Sequence, residues 1–279
     1  MIYIENEKFR LGAIKTGAEL RSFTDKRISY EHMWQGGPIW NGCSPLLFPI
    51  VGKLKNDTYT LNGAPYTMAK HGFARKMDFE LESQTQESVT FLLTDNDVTK
   101  ESYPFSFELR VTFALTENGF TMTHLVKNKG SDTMYFSIGA HPGFRCELGD
   151  RILMDLPETA SAYRLNESFL RGAETEPIFA NSHELLITKD IFNNDALIFD
   201  DLKSGSCTLE RSDGHHVHVD FGGAPCLGIW ARPGAPYVCI EPWFGIDDAW
   251  NAGGEIAEKH RICSLDAGQE FAFTVTVTV

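Results

Sequence analysis

The chain has 279 residues, of which 42% are hydrophobic and 12% aromatic, so it can bury a large core. Its 25 basic and 38 acidic residues give a formal net charge of −13, and no basic run or patch stands out. This balance argues against nucleic acid and anionic membrane surfaces as partners. No apolar run approaches the roughly 18 residues that a membrane-spanning helix needs.

The cysteines and the N-terminal residues indicate the compartment. Six cysteines occur without a CxxC pair, and several of them lie in apolar segments. The segment Met1–Glu7 has no basic region followed by an apolar stretch, so it does not predict a signal peptide. We therefore expect a cytoplasmic protein with reduced thiols. The sequence leaves open whether this protein is a monomer or a homodimer.

Alternation of apolar and polar residues with a period of two dominates the first half of the chain, and it predicts strands. Polar turn segments between such runs predict hairpins. One short helix is predicted, because an Asp-Asn-Asp cluster can cap its first turn. In chain order, the predicted elements are a loop at Gln35–Pro45, a hairpin of Phe79–Ser83 with Ser88–Leu93, the helix at Asp95–Tyr103, and a hairpin of Phe107–Leu115 with Phe120–Val126.

The second half of the chain continues this pattern. Pro and Gly mark a loop at Gly222–Pro236, and the apolar run Tyr237–Ile240 predicts a buried strand. A helix is predicted at Asp247–Lys259, broken by its two adjacent glycines. Phe271–Val279 alternates without interruption and predicts a C-terminal strand. Many short strands with few helices predict an all-β fold, a large antiparallel β-sandwich, with residues 1–279 forming a single domain.

Glu241 directly follows the buried run Tyr237–Ile240, at the predicted end of that strand. A carboxylate in such a place is costly unless it is paired, hydrogen-bonded or facing a cavity. Burial would also raise its pKa toward the range in which a carboxylate accepts protons near neutral pH. Glu241 is therefore a candidate general base, although a strand-end Glu can also simply reach solvent.

Four segments each place a polar, titratable residue beside Gly or Pro at the end of an apolar stretch. Such residues can project from a strand edge into a pocket. An aromatic ring beside a pocket carboxylate, such as Trp243, suits a sugar, because its face packs on the apolar side of a pyranose. The segments are Ser44–Leu54, His71–Arg75, Gly139–Phe144 and Cys239–Gly245.

Together these four segments resemble the aldose 1-epimerase (galactose mutarotase-like) superfamily, and most closely its LacX-like branch. The resemblance extends from Ser44 to the C-terminal strand, and it is most specific over Ser44–Arg75. It implies the large antiparallel β-sandwich of that family. It also implies that the chain interconverts the α and β anomers of a free aldose, with no cofactor and no metal.

The resemblance also assigns roles to individual residues. Glu241 corresponds to the general base that removes the proton from the C1 hydroxyl. His141 corresponds to the general acid that protonates the ring oxygen, and His71 to the second histidine, which holds the sugar near that oxygen. A carboxylate with a raised pKa and a histidine near neutrality form a suitable pair for this reaction.

Five further residues are predicted to bind the sugar: Lys53, Arg75, Phe144, Trp230 and Trp243. The first of them stands where the family pattern has Arg, and Lys cannot form the same planar two-point fork. The Asp that binds sugar hydroxyls in the family has no motif match, and Trp230 is expected to line the cleft in the corresponding region. We expect Arg75 to pair with a structural carboxylate, although it is also a candidate for binding the phosphate of a sugar phosphate.

Two other functions compete with the epimerase hypothesis. A non-catalytic carbohydrate-binding protein on the same fold would not need a matched acid and base. A metal-dependent β-sandwich enzyme is less favoured; its best support is the face shared by His216, His218 and Asp220. We expect that strand to be exposed with its histidines in solvent, because no distant ligand completes the set.

Overall fold

A computed structural model describes residues 1–279. Nearly all of its regular structure is strand, as the alternating sequence predicts. The helices are α1 (Asp97–Ser102) and three single 3₁₀ turns at Lys55–Asp57, Ala74–Lys76 and Ile256–Glu258. The strands are β1 (Ile2–Glu5), β2 (Phe9–Ala13), β3 (Leu20–Asp25), β4 (Tyr30–Glu31), β5 (Thr58–Leu61), β6 (Ala64–Thr67), β7 (Glu80–Gln84), β8 (Ser88–Thr94), β9 (Phe107–Leu115), β10 (Gly119–Asn128), β11 (Met134–Phe136), β12 (Ile138–Gly139), β13 (Gly143–Arg145), β14 (Arg151–Leu165), β15 (Arg171–Leu186), β16 (Leu197–Asp200), β17 (Ser206–Glu210), β18 (His216–Asp220), β19 (Cys226–Trp230), β20 (Tyr237–Phe244), β21 (Cys263–Leu265) and β22 (Glu270–Thr278).

One antiparallel sheet of 14 strands dominates the molecule. Its main path runs in the order β12-β20-β19-β16-β14-β17-β18-β22-β10-β9-β8-β7, and β13 and β15 join it at β20 and β14. A four-stranded sheet, β1 to β4, and two strand pairs complete the fold. A core of 62 buried residues is shared by these layers. The prediction of an all-β, antiparallel sandwich with a few short helices is therefore confirmed.

The hairpins predicted from alternation are present. Strands β7 and β8 pair, and so do β9 and β10, with Phe120 opposite Leu115 beside the turn. The C-terminal strand β22 pairs with both β10 and β18. Helix α1 begins at the predicted cap cluster, where the Asn96 side chain accepts a hydrogen bond from the Thr99 N–H. None of the helices has the length and apolar character that crossing a membrane requires.

Three predictions of local structure were wrong. Between Asp247 and Lys259 only the turn Ile256–Glu258 is helical, because the preceding glycines favour an open loop. The predicted loop Gly222–Pro236 contains strand β19. Glu241 does not end its strand, because β20 continues to Phe244 and keeps the carboxylate inside the sheet.

The strand that carries the competing metal hypothesis lies at the surface, as expected. On β18, His216 and Asp220 are exposed and His218 is partly exposed. The His218 ring nitrogen Nδ1 lies 3.0 Å from the hydroxyl of Thr208 on the neighbouring strand. The alternate positions of β18, Val217 and Val219, are fully buried, so the histidine side chains lie on the outer face of the sheet.

Candidate active site

The pairing of β20 with two short strands brings His141 and Glu241 together. Gly139 on β12 is opposite Trp243, and Gly143 on β13 is opposite Cys239. The residue midway between the two glycines is His141, and the residue midway between their partners is Glu241. Directly opposite residues of an antiparallel pair bring their side chains close together. The break between β12 and β13 therefore faces the carboxylate of β20.

The two side chains are in contact. His141 Nε2 lies 3.2 Å from Glu241 Oε2, and the two residues are 8% and 1% exposed. Burial raises the pKa of Glu241 well above its usual value, an effect that nearby Lys70 opposes. Burial also lowers the pKa of His141 to about 3. Burial disfavours the charged form of each group, so the pair retains one proton between its two facing atoms at neutral pH.

His71 is the second histidine of the site, and its protonation is set by the backbone. The backbone N–H of Gly52 donates a hydrogen bond to the ring nitrogen Nδ1 of His71 at 3.0 Å. The backbone N–H of His71 in turn donates to the Gly52 carbonyl. Burial lowers the pKa of His71 well below its usual value, so the ring is neutral. A neutral ring that accepts at Nδ1 carries its proton on Nε2. His71 is therefore a hydrogen-bond donor.

A cavity of about 300 Å³ adjoins these three side chains. Volumes of this size are typical of small-molecule sites. Six of the eight residues predicted for the site line it: His71, Arg75, His141, Trp230, Glu241 and Trp243. The cavity is also lined by residues that were not among the eight predicted ones: Trp40, Pro45, Lys70, Leu165, Phe169, Asp195, Ala196, Ile198, Arg232 and Asp247.

The other two predicted residues, Lys53 and Phe144, lie outside the cavity. The Lys53 ammonium lies 3.3 Å from the carboxylate of Asp57, four residues further along the chain. Phe144 is completely buried in the main core, where its strand β13 runs beside Met33. The structure does not bring these two residues to the cavity, so the expectation that they line the sugar site is corrected.

Three tryptophans surround the pair formed by His141 and Glu241. Trp40 stacks on the His141 ring at a centroid distance of 5.4 Å, and Trp230 stands nearly perpendicular to both rings. Trp40 and Trp230 are partly exposed, whereas Trp243 is only 3% exposed. Little of the Trp243 surface is thus available as a sugar platform, although the sequence suggested that role for it. Trp40 and Trp230 offer more aromatic surface to a ligand.

Trp243 instead supports Glu241. Its indole N–H is buried without a hydrogen-bond partner, and burial raises the pKa of Glu241 while the nearby indole N–H acts to lower it. The glycines at 139 and 228 leave space for the ring: a Cβ at Gly139 would lie 2.4 Å from the indole, and one at Gly228 would lie 2.6 Å from it. Both distances are too short for real contacts, so neither position accepts a side chain unless the indole moves.

Two cations at the cavity lack carboxylate partners. Arg75 donates one hydrogen bond, from Nη2 to the Lys70 carbonyl at 2.8 Å, and its buried Nε is unpaired. Arg75 therefore does not pair with a structural carboxylate, contrary to our expectation. The Lys70 ammonium lies over the Phe169 ring at 4.7 Å. A partly buried, incompletely paired guanidinium is costly, and a ligand oxygen would reduce that cost.

Two aspartates at the cavity supply the oxygen acceptors that the sequence motifs did not reveal. Asp247 is 1% exposed, and its Oδ1 accepts a hydrogen bond from Lys53 N–H at 2.8 Å. Its carboxyl group lies against Gly52, where a Cβ would meet it at 2.2 Å. Asp195 has a positive φ of 64°, and its Oδ1 accepts a hydrogen bond from Ala196 N–H at 2.8 Å. Either carboxylate can accept hydrogen bonds from a polyhydroxylated ligand.

The fold and this site define a class: an antiparallel β-sandwich with a histidine and a glutamate facing each other at a small polar and aromatic cavity. The family model described as Aldose 1-epimerase matches residues 1–276. The chain belongs to the aldose 1-epimerase family.

Individual relatives agree with this assignment. The chain is 33% identical to the chromosomal LacX protein of Lactococcus lactis subsp. lactis, over 95% of this chain and 94% of that protein. It is 36% identical to a galactose mutarotase related enzyme from Lactobacillus acidophilus, with a TM-score of 0.94 over 99% and 96% of the two chains. A galactose mutarotase-like protein from Lactobacillus casei is 30% identical, with a TM-score of 0.94 over 100% and 99%. The resemblance inferred from the four sequence segments is confirmed.

Proposed function

We propose that this protein is an aldose 1-epimerase, which interconverts the α and β anomers of an aldose by general acid–base catalysis. The observation that carries the proposal is the facing pair at the cavity, with His141 Nε2 3.2 Å from Glu241 Oε2. In a cyclic aldose the C1 hydroxyl oxygen and the ring oxygen are both bonded to C1. Two adjacent proton-transfer atoms can therefore serve both oxygens of one substrate without a large movement.

The reaction needs one proton on the pair, and the pair holds one. Burial places that proton on Glu241 in the resting site. Hydrogen bonds from sugar hydroxyls stabilise the carboxylate, and the proton then crosses to His141. Glu241 takes the proton of the C1 hydroxyl, the bond between C1 and the ring oxygen breaks, and His141 gives its proton to that oxygen.

The product of this step is the open-chain aldehyde, and the pair again holds a single proton, now on Glu241. Rotation about the C1–C2 bond presents the other face of the carbonyl. The same transfers in reverse close the ring with the opposite configuration. Since no electrons are gained or lost and no group is transferred, the chemistry requires no redox cofactor and no covalent intermediate.

The remaining groups hold the sugar. His71 donates from Nε2, because its Nδ1 is occupied by Gly52 N–H, and this donor suits an oxygen that becomes more negative as the ring opens. Asp195 and Asp247 accept from ring hydroxyls, and Trp40 packs on the apolar side of the sugar. Such positioning groups contribute by holding the reacting atoms in contact distance.

The substrate is a free aldose or its phosphate. Arg75 favours the phosphate within this proposal, because its guanidinium faces the cavity without a carboxylate partner. We also infer a cytoplasmic protein, because its six cysteines are all free thiols and five of them are buried. Whether it works as a monomer or a homodimer stays a prediction to be tested by its mass in solution.

The proposal is tested by two-dimensional exchange NMR with glucose, galactose and hexose 6-phosphates. The wild type is expected to accelerate exchange between the anomers of at least one sugar. Glu241→Gln removes the proton acceptor while keeping the side-chain shape, so the rate should fall roughly 10²–10⁴-fold. Glu117→Gln is the matched control, since the Glu117 side chain is 84% exposed and does not line the cavity.

The same experiment separates the competing carbohydrate-binding function. A binding protein would shift the sugar resonances without accelerating exchange, and Glu241→Gln would leave the shifts largely intact. Equal exchange rates for the wild type and Glu241→Gln would remove Glu241 from the mechanism. Acceleration restricted to the 6-phosphates, and lost in Arg75→Met, would identify the phosphate as part of the substrate.

A further inference from the structure

Strand β20 carries a third potential ligand beside the acid–base pair. Cys239 lies two residues before Glu241, so both side chains point to the same face of the strand. The Cys239 thiol, His141 and Glu241 each offer a ligand atom, and all three atoms lie within 4.8 Å of one another. Neither the proposed sugar reaction nor any of its positioning contacts uses this thiol.

We propose that this trio is a zinc-type metal site through which a thiophilic divalent cation binds and blocks the acid–base pair. Zinc binds Cys sulfur at about 2.3 Å and His nitrogen or carboxylate oxygen at about 2.0–2.2 Å, so tetrahedral ligand atoms lie roughly 3.3–3.7 Å apart. The contact between His141 and Glu241, at 3.2 Å, lies just below that range. Small side-chain movements bring Cys239 to the same distance.

The charge of the complex suits a buried site. A thiolate and a carboxylate neutralise a divalent cation, and the neutral imidazole adds no charge, so the complex has no net charge to desolvate. Two protons leave to solvent when the metal binds: the thiol proton of Cys239 and the proton that the His141–Glu241 pair holds at rest. The mixture of one sulfur, one nitrogen and one oxygen favours zinc, cadmium or cobalt over magnesium or calcium, which prefer oxygen ligands.

The cation reaches the trio from the sugar cavity. His141 and Glu241 line that cavity, and apart from its contact with His141, the buried Glu241 Oε2 has no polar partner. Three protein ligands leave the fourth tetrahedral position open to water or a sugar hydroxyl. A bound cation occupies the lone pairs that exchange protons with the sugar. Binding itself is independent of the proposed function, whereas the resulting inhibition depends on it.

The site is tested first by binding, with Co²⁺ as an optical probe added to the metal-free protein. We expect one equivalent to bind and to produce a near-ultraviolet thiolate-to-cobalt charge-transfer band. Cys239→Ser should lose the band and bind Co²⁺ at least about 10–100-fold more weakly. Loss of a residue that only hydrogen-bonds to a metal ligand already weakens metal binding by that factor. Cys207→Ser, which removes another fully buried free thiol, should keep both band and affinity.

Three results would contradict the site: no charge-transfer band in the wild type, an unchanged band in Cys239→Ser, or loss of binding in a His216→Asn, His218→Asn double variant. The last would place the cation on the surface strand β18. If Cys239→Ser does not fold, X-ray absorption of the zinc-loaded wild type must show one sulfur ligand. Inhibition is then tested by measuring the rate of anomer exchange with and without zinc for each variant. A protein that binds zinc but does not accelerate anomer exchange at all refutes only the proposed function.

Discussion

The indole of Trp243 packs against Gly139 and Gly228, and a single methyl group added at Gly139 is expected to displace it. A Cβ at Gly139 would lie 2.4 Å from the indole Cδ1. The neighbouring Gly228 leaves no space for the ring to move away, since a Cβ there would lie 2.6 Å from its other end. Gly139→Ala must therefore shift the indole or separate β12 from β20.

The expected cost follows from this crowding. Inserting a methyl group into a fully packed site typically costs about 1–3 kcal/mol. For a chain of this size, each kcal/mol lowers Tm by roughly 2–4 °C. The indole N–H also lowers the pKa of Glu241 against burial, so its displacement weakens the carboxylate form that the reaction needs. Gly139→Ala should therefore lose both stability and anomer exchange.

Urea unfolding measures the loss of stability, and exchange NMR measures the loss of rate on the same samples. Gly205→Ala is the matched control, because nothing lies within 4 Å of a Cβ built there. Its free energy of unfolding should stay within about 0.5 kcal/mol of the wild type. Equal stabilities for Gly139→Ala and Gly205→Ala would refute the reasoning, because the indole would then have room that the structure does not show.

Further predictions concern charge. Burial lowers the pKa of His141 to about 3, so the pair keeps its single proton and kcat/KM should not fall between pH 7 and pH 5. A fall of kcat/KM below about pH 6.5 would instead show an ordinary, solvated imidazole. Lys70→Met should lower kcat/KM roughly tenfold or more, because Lys70 opposes the effect of burial on the Glu241 pKa and so stabilises the carboxylate form. Lys53→Met should change it little, because the Lys53 ammonium pairs with Asp57; the reverse order in steady-state assays would restore the sequence-based assignment. Asp248→Ala should lower the free energy of unfolding, measured in urea, by about 3–5 kcal/mol, because it leaves Lys259 without its counter-charge. The Lys259 side chain is 3% exposed and its ammonium lies 2.8 Å from the Asp248 carboxylate. A loss below about 1 kcal/mol would contradict burial of the pair.

The sequence predicted best those strands that have one buried and one exposed face. Phe107–Leu115 alternates strictly between buried and partly buried positions, so its pattern specified both the strand and its face. Strand β19 was missed because four of its five residues are buried, which removes the alternation, and because flanking Gly and Pro resemble a loop. The helix expected after Asp247 was wrong for a related reason: short polar periodicity does not outweigh two adjacent glycines.

The candidate site was only partly predictable, and the reason lies in how far apart its parts are in the chain. Residues beside Gly or Pro in a recognisable motif, such as His71 and Glu241, could be found from sequence. Trp40, Lys70 and Asp195 carry no local signal, because only tertiary packing brings them to the cavity. Lys53 illustrates the opposite error: its backbone holds the site aspartate Asp247, while its side chain points to Asp57.

Strand register explains why His141 and Glu241 meet although a hundred residues separate them. Two ladder segments flank the break at His141, with Gly139 opposite Trp243 on one side and Gly143 opposite Cys239 on the other. A slip of one residue in either segment would turn Glu241 to the opposite face of the sheet. Glycine at 139 admits the indole and glycine at 143 fits between neighbouring side chains, so both glycines fix that register. The geometry of the His141–Glu241 pair is thus set by the sheet and not by a loop, and the pairing on both sides holds the two atoms at 3.2 Å.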